Sequence, residues 1–184
     1  MRHRSTVPAA ILLGSALGLA ACSGGTDAET PDRLPPAPDA ISETTSTPPG
    51  PSLELSPSAE RTTTTGAAEN FTGTVRVTPL FDPTDASTAG AGLVTFEPGA
   101  RTAWHTHPAG QRIVITAGTG WVQERGGERL EVRAGDVVWF APGVEHWHGA
   151  TATDPMTHVA VQDTVDGSNA TWEDLVTDEE YTGG

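Results

Sequence analysis

Apolar and polar residues alternate in short runs beyond residue 70, and no such pattern precedes it. Thr74-Val75-Arg76-Val77 alternates, as do Leu93-Val94-Thr95-Phe96, Ala103 to His107, Gln111 to Thr116 and Thr157 to Gln162. Trp121 to Glu124 and Arg129 to Val132 flank Gly126-Gly127, a pairing that predicts a hairpin. Val137 to Phe140 runs into the turn signal Pro142-Gly143, and His146 to His148 follows. Alternation with a period of two, broken by Gly and Pro, predicts strands rather than helices. A series at this spacing predicts an all-β sandwich or barrel. Trp172 to Val176 is expected to form one short closing helix.

The first third of the chain has a different texture. Met1-Arg2-His3-Arg4 is a positive start, and Val7 to Ala20 is an apolar run too short for a comfortable membrane span. It has the shape of a secretory signal. The run ends in Leu19-Ala20-Ala21-Cys22, which resembles the lipobox of bacterial lipoproteins. That resemblance implies a diacylglyceryl group on Cys22 and cell-envelope localisation, because two acyl chains hold a protein stably on a membrane surface. From Ser23 to Glu69 the chain is rich in Pro, Thr, Ser and acidic residues, with Thr62 to Thr65 as a homopolymeric run. Such a stretch cannot bury enough surface to offset its ordering entropy, so it reads as a disordered tether. The expected organisation is a signal segment over 1–21, a tether over 22–69 and one folded domain over 70–184.

Composition narrows the chemistry. All five Trp and all four Phe lie beyond residue 70, so the core belongs to that domain. The formal net charge of −14 excludes nucleic acid as an expected partner, since phosphate binding needs a positive surface. The ten cationic residues are all Arg, which removes Lys-based Schiff-base and general-base chemistry. One cysteine permits neither an intrachain disulfide nor a Cys-rich zinc site.

Histidine changes the picture most. Five of the six His fall between 105 and 158. His105 and His107 share one strand face, as do His146 and His148, and as do His158 and Gln162. Gln111 shares the parity of Ile113 and Ile115. A single buried His is usually a satisfied core residue. Five converging ones each need a partner, and a metal ion supplies it.

Gly99-x5-His105-x-His107-x3-Gln111-x6-Gly118 resembles the first cupin motif, and Gly135-Asp136…Pro142-Gly143-x2-His146 resembles the second. The resemblance covers roughly residues 71–181 and implies a jelly-roll barrel. It implies a divalent metal on His105, His107, Gln111 and His146. Gln111 stands where cupins usually carry Glu, and Ala150 where an Asn often closes the second motif. A neutral amide leaves a divalent ion with its full charge, which favours Lewis-acid over high-valent redox chemistry. Mn²⁺ is the first expectation, Fe²⁺ the second, and Zn²⁺ a third occupant.

Longer stretches narrow the resemblance further. Phe71 to Arg76, Phe96 to Pro108, Gly135 to Phe140 and Glu145 to Ala150 are similar to small manganese-dependent bacterial cupins that include hydroxynitrile lyases. That likeness implies a polar pocket formed by His148, His158 and Gln162, with Gly92 and Val94 in its wall. The expected function is a metal-dependent lyase acting on cyanohydrin or carbonyl compounds, with His148 moving the proton. Two alternatives come from other classes: an oxygen-using or isomerising cupin, and a tethered module that binds a small ligand or metal without turnover. Expected partners are a small-molecule substrate, a membrane through Cys22 and a second copy of the domain.

Overall fold

The computed structural model describes residues 53–183. The signal segment, Cys22 and the tether through residue 52 lie outside the described residues. The chain runs through β1 (Thr64–Thr65), β2 (Phe71–Thr72), β3 (Val75–Phe81), β4 (Ala89–Phe96), β5 (Arg101–Thr106) and β6 (Gln111–Glu124). It continues through β7 (Leu130–Arg133), β8 (Val137–Phe140), β9 (His146–Ala150), β10 (Met156–Asp163), β11 (Thr171–Leu175) and a closing helix α1 (Asp178–Thr182). No helix among the described residues is long and apolar enough to cross a membrane.

Every strand pairing is antiparallel, and the strands curl in the order β1-β3-β4-β10-β6-β9-β5-β11. β2 adds to β5, and β7 and β8 add to β6. The result is the expected all-β jelly roll. β6 joins its two halves: residues 111–118 pair with β10, and residues 120–124 pair with β9. The corner between them is made by glycine. Gly118 has φ +75°, and a Cβ there would lie 1.9 Å from the Pro155 carbonyl oxygen. A side chain at this point would force β6 away from β10, which is why the strand carries Gly at its bend.

Two core clusters follow from strand parity. The barrel interior packs Val75, Phe96, Ile113, Ile115, Phe140 and Met156, all at most 2% exposed. On β6, Gln111, Ile113 and Ile115 are buried while Arg112, Val114 and Thr116 face outward. β5 and β9 are buried on both faces, so their outward residues Trp104 and Trp147 form a second cluster with Val176 and Tyr181.

Two expectations are corrected. Trp172 to Val176 is not helical: Thr171–Leu175 is an edge strand on β5, and the helix comes later, at Asp178–Thr182. The acidic residues there suit a helix start instead, with Thr177 as N-cap in a reciprocal capping box with Glu180. The folded domain also begins before residue 70. Thr64 and Thr65 pair with Val77 and Arg76, and the Thr63 and Thr78 hydroxyls lie 2.7 Å apart. Polar composition pointed to disorder, but β-branched Thr with exposed side chains suits an edge strand.

Candidate metal centre

β5, β6, β9 and β10 each send polar side chains into the same end of the barrel. His105 lies on β5, His107 directly after that strand, and Gly110 turns the chain so that Gln111 opens β6. His146 and His148 are alternate residues of β9, and His158 lies on β10 opposite Val94. The rings of His105 and His146 are 4.3 Å apart, His105 and His107 5.1 Å, and His105 and His148 5.2 Å. All five imidazoles are at most 3% exposed, and Gln111 is 5% exposed.

Backbone carbonyls orient three of these rings. His105 Nδ1–H donates to Ala103 at 3.0 Å, His107 Nδ1–H to Asn169 at 2.6 Å, and His146 Nδ1–H to Val144 at 2.9 Å. A carbonyl only accepts, so each Nδ1 holds the proton and each Nε2 keeps its lone pair. His146 Nε2 then faces Gln111 Oε1 at 3.4 Å, an acceptor against an acceptor. Such a contact is repulsive unless a cation lies against both. Buried His107 Nε2 has no hydrogen-bond partner in the protein. These observations fit a divalent ion on His105, His107, His146 and Gln111. Aromatic faces hold the arrangement: Phe140 stacks on His146 at 3.7 Å and Trp172 on His105 at 4.7 Å.

The remaining two imidazoles form a pair of their own. His158 Nε2 and His148 Nδ1 are 3.2 Å apart, so one proton is shared between them. His148 Nε2 and His158 Nδ1 are buried without protein partners. Burial holds all five rings neutral, pushing His146 down to about 4 and His158 to about 3. His148 lies well below its ordinary value, first through burial and then through its imidazole neighbours. At neutral pH His148 is therefore an uncharged ring, a proton acceptor and not a cationic donor. His105, His146 and His148 also bring their nitrogens within 4.8 Å of one another.

A cavity of about 180 Å³ opens on this cluster. His105, His107, Gln111, His148, His158 and Gln162 line it, and Gly92 and Val94 form part of its wall. The Gln111 amide donates to Gln162 Oε1 at 3.4 Å. Four contributors were not singled out from sequence. Thr102 accepts the His148 backbone N–H at 3.1 Å, Asn169 acts through its carbonyl, and Phe140 and Trp172 act by stacking. For Phe140 the parity of β8 was an available signal; a backbone carbonyl leaves none.

A jelly-roll barrel with clustered imidazoles at one end that fit a divalent ion defines a β-barrel of the cupin type. The chain belongs to the cupin family: residues 92–162 match the family described as Cupin_2, Cupin domain. It is 56% identical over 116 residues to an (R)-mandelonitrile lyase of Granulicella tundricola, a match spanning 63% of this chain and 88% of that protein. A cupin-like protein of known structure from Thermotoga maritima is 40% identical with TM-score 0.62, over 65% of this chain and 90% of that one. A cupin-2 domain from Rhodospirillum rubrum shares the fold at TM-score 0.55 and 16% identity, over 74% of this chain and 89% of that one.

Proposed function

We propose that this cupin is a metal-dependent lyase that cleaves and forms cyanohydrins, with a divalent ion, Mn²⁺ by first choice, on His105, His107, Gln111 and His146. The observation that carries the reading is the divided donor set. Three imidazoles have Nε2 lone pairs left available by carbonyl bonds on the other side, and a neutral His148–His158 pair adjoins them in the same cavity. A divalent ion held there supplies Lewis acidity toward a hydroxyl or carbonyl oxygen. Gln111 contributes an oxygen without a charge, so that acidity is not diminished.

The chain's own residues handle proton and cyanide. In the cleavage direction, neutral His148 accepts the hydroxyl proton at Nε2 as the carbon–cyanide bond breaks, giving an aldehyde and cyanide. His158 shares the charge through its 3.2 Å contact with His148 Nδ1. The departing cyanide takes the proton back and leaves as hydrogen cyanide. Gln162, hydrogen-bonded to Gln111, orients the small group from β10. Formation of the cyanohydrin reverses each movement.

The proximity of His105, His146 and His148 favours a second reading, in which His148 itself binds the ion and only His158 remains to move protons. The lipobox at Cys22 extends the proposal to an exported, lipid-anchored protein whose barrel works at a membrane surface.

The test is to load the metal-free protein separately with Mn²⁺, Fe²⁺ and Zn²⁺ and assay mandelonitrile cleavage and oxygen uptake on diol-type substrates. Cleavage by a loaded form, lost in His148→Ala with metal retained, is the expected result. Oxygen uptake without cleavage would turn the reading to an oxygenase, and silence with metal bound to a binding module.

A further inference from the structure

β10 leads to the edge strand β11 through a short connection whose last residues, Asn169 and Ala170, line the cavity together with Trp172. Thr164 N–H donates to the Thr88 carbonyl at 2.9 Å, and Val165 and Ser168 then close a tight bridge. Inside that bridge Asp166 has φ +51° and Gly167 φ +82°. Asp166 is the one described non-glycine residue with positive φ, a conformation held by its surroundings. Beyond the bridge the strap touches the metal centre twice. The Asn169 carbonyl accepts a hydrogen bond from His107 Nδ1–H at 2.6 Å, and the Trp172 indole stacks on His105 at 29° between planes.

The two sides of the cavity differ in kind. The wall from β4 and β10 combines the polar His158 and Gln162 with the small residues Gly92, Val94 and Ala160. The strap side carries Asn169, Ala170 and Trp172. Trp172 is 38% exposed, so its ring reaches from His105 to the outside and leans on Phe71 at 5.6 Å. The β11 register slips after Trp172, which frees the strand from regular pairing at this point.

We propose that the strap from Thr164 to Trp172 is the gate of the metal cavity, and that Trp172 is the residue that sets the size of ligand admitted. The inference rests on the metal-site reading above and goes beyond it by locating selectivity. The small residues of the β4–β10 wall leave room, and the indole limits how far a ligand extends toward the mouth. Because the strap also holds His107 and covers His105, a ligand that displaces Trp172 disturbs the residues that would hold the ion. Bulky ligands are therefore excluded by two linked effects.

The test uses imidazole and 4-phenylimidazole as nitrogen-donor probes of unequal size, titrated into Co²⁺-loaded protein and followed by the visible d–d bands. Neither probe depends on lyase activity. The wild type is expected to bind imidazole and to discriminate against 4-phenylimidazole. Trp172→Ala should improve the ratio in favour of the larger probe by about tenfold or more, the scale at which pocket shape discriminates. Trp172→Phe keeps an aromatic face on His105 and should fall between the two. Metal content is read separately by elemental analysis. A wild-type protein that takes up no metal defeats the site reading and the gate together. Unchanged probe ratios in both variants with metal retained defeat the gate alone. Loss of metal from Trp172→Phe would also overturn it, because Trp172 would then support His105 and select nothing.

Discussion

A buried imidazole next to other imidazoles resists protonation, and this chain carries five of them in one barrel. In the unfolded chain each titrates near the ordinary value of about 6.5. In the fold His146 is lowered to about 4 and His158 to about 3, with burial as the first cause in both. Their contribution to stability is therefore complete above about 6.5 and is lost as pH falls toward the folded values. Below that point the unfolded chain takes up protons that the native state refuses. Each ring contributes a slope of up to about 1.4 kcal/mol per pH unit. Urea unfolding of the metal-free protein should show a midpoint that drops steadily from pH 7 to pH 5 with unchanged m-value; a flat profile would contradict the burial of neutral imidazoles. The residues of this cluster were legible in sequence because strand parity is strict: two positions apart means one face. Their division into metal-holding and proton-moving groups came from the cupin resemblance alone; parity does not supply it. That division depends on which carbonyl meets which Nδ1, and Asn169 is remote in sequence from the His107 it orients.

At the scale of elements, the strands that carry the imidazoles are held from outside by the C-terminal segment. Arg101 is buried at 4% exposure, and its guanidinium donates twice to the Val176 carbonyl, at 2.8 and 3.1 Å, and once to Asp178 at 2.7 Å. Tyr181 O–H donates to the Ala150 carbonyl at 2.9 Å, tying α1 to the end of β9. This clamp presses Val176 and Tyr181 onto Trp104 and Trp147, the outward neighbours of His105, His146 and His148. Arg101→Met should cost about 3 kcal/mol, since charged hydrogen bonds to a buried carbonyl are lost. Asp178→Ala should cost less than about 1 kcal/mol, because that side chain is 94% exposed and its ion pair is screened. Equal losses in denaturant unfolding would contradict the clamp. Most strands were legible from alternation, including the Gly126-Gly127 hairpin that pairs β6 with β7. The C-terminal strand was misread because Glu173 and Asp174 break the apolar pattern on an edge that faces solvent. Their neighbour Trp172 is placed by β5, a contact invisible in local sequence.

Across the described molecule, the jelly roll converts four strands distant in sequence into one convergent polar end, contacted by the segment Thr164 to Trp172 and backed by the C-terminal clamp. The facing acceptors His146 Nε2 and Gln111 Oε1 carry an electrostatic cost that a bound cation would relieve, so metal uptake by this end would stabilise the barrel. An ion present at 100 times its dissociation constant would add about 2.7 kcal/mol. The most direct measurement is calorimetric titration of Mn²⁺ into the metal-free full-length chain and its His105→Ala, His146→Ala and His148→Ala variants. One ion per wild-type chain is expected, with uptake lost in His105→Ala and His146→Ala and retained in His148→Ala. Absence of stoichiometric uptake, or a His148→Ala variant as empty as His146→Ala, would contradict the division between metal-holding and proton-moving imidazoles.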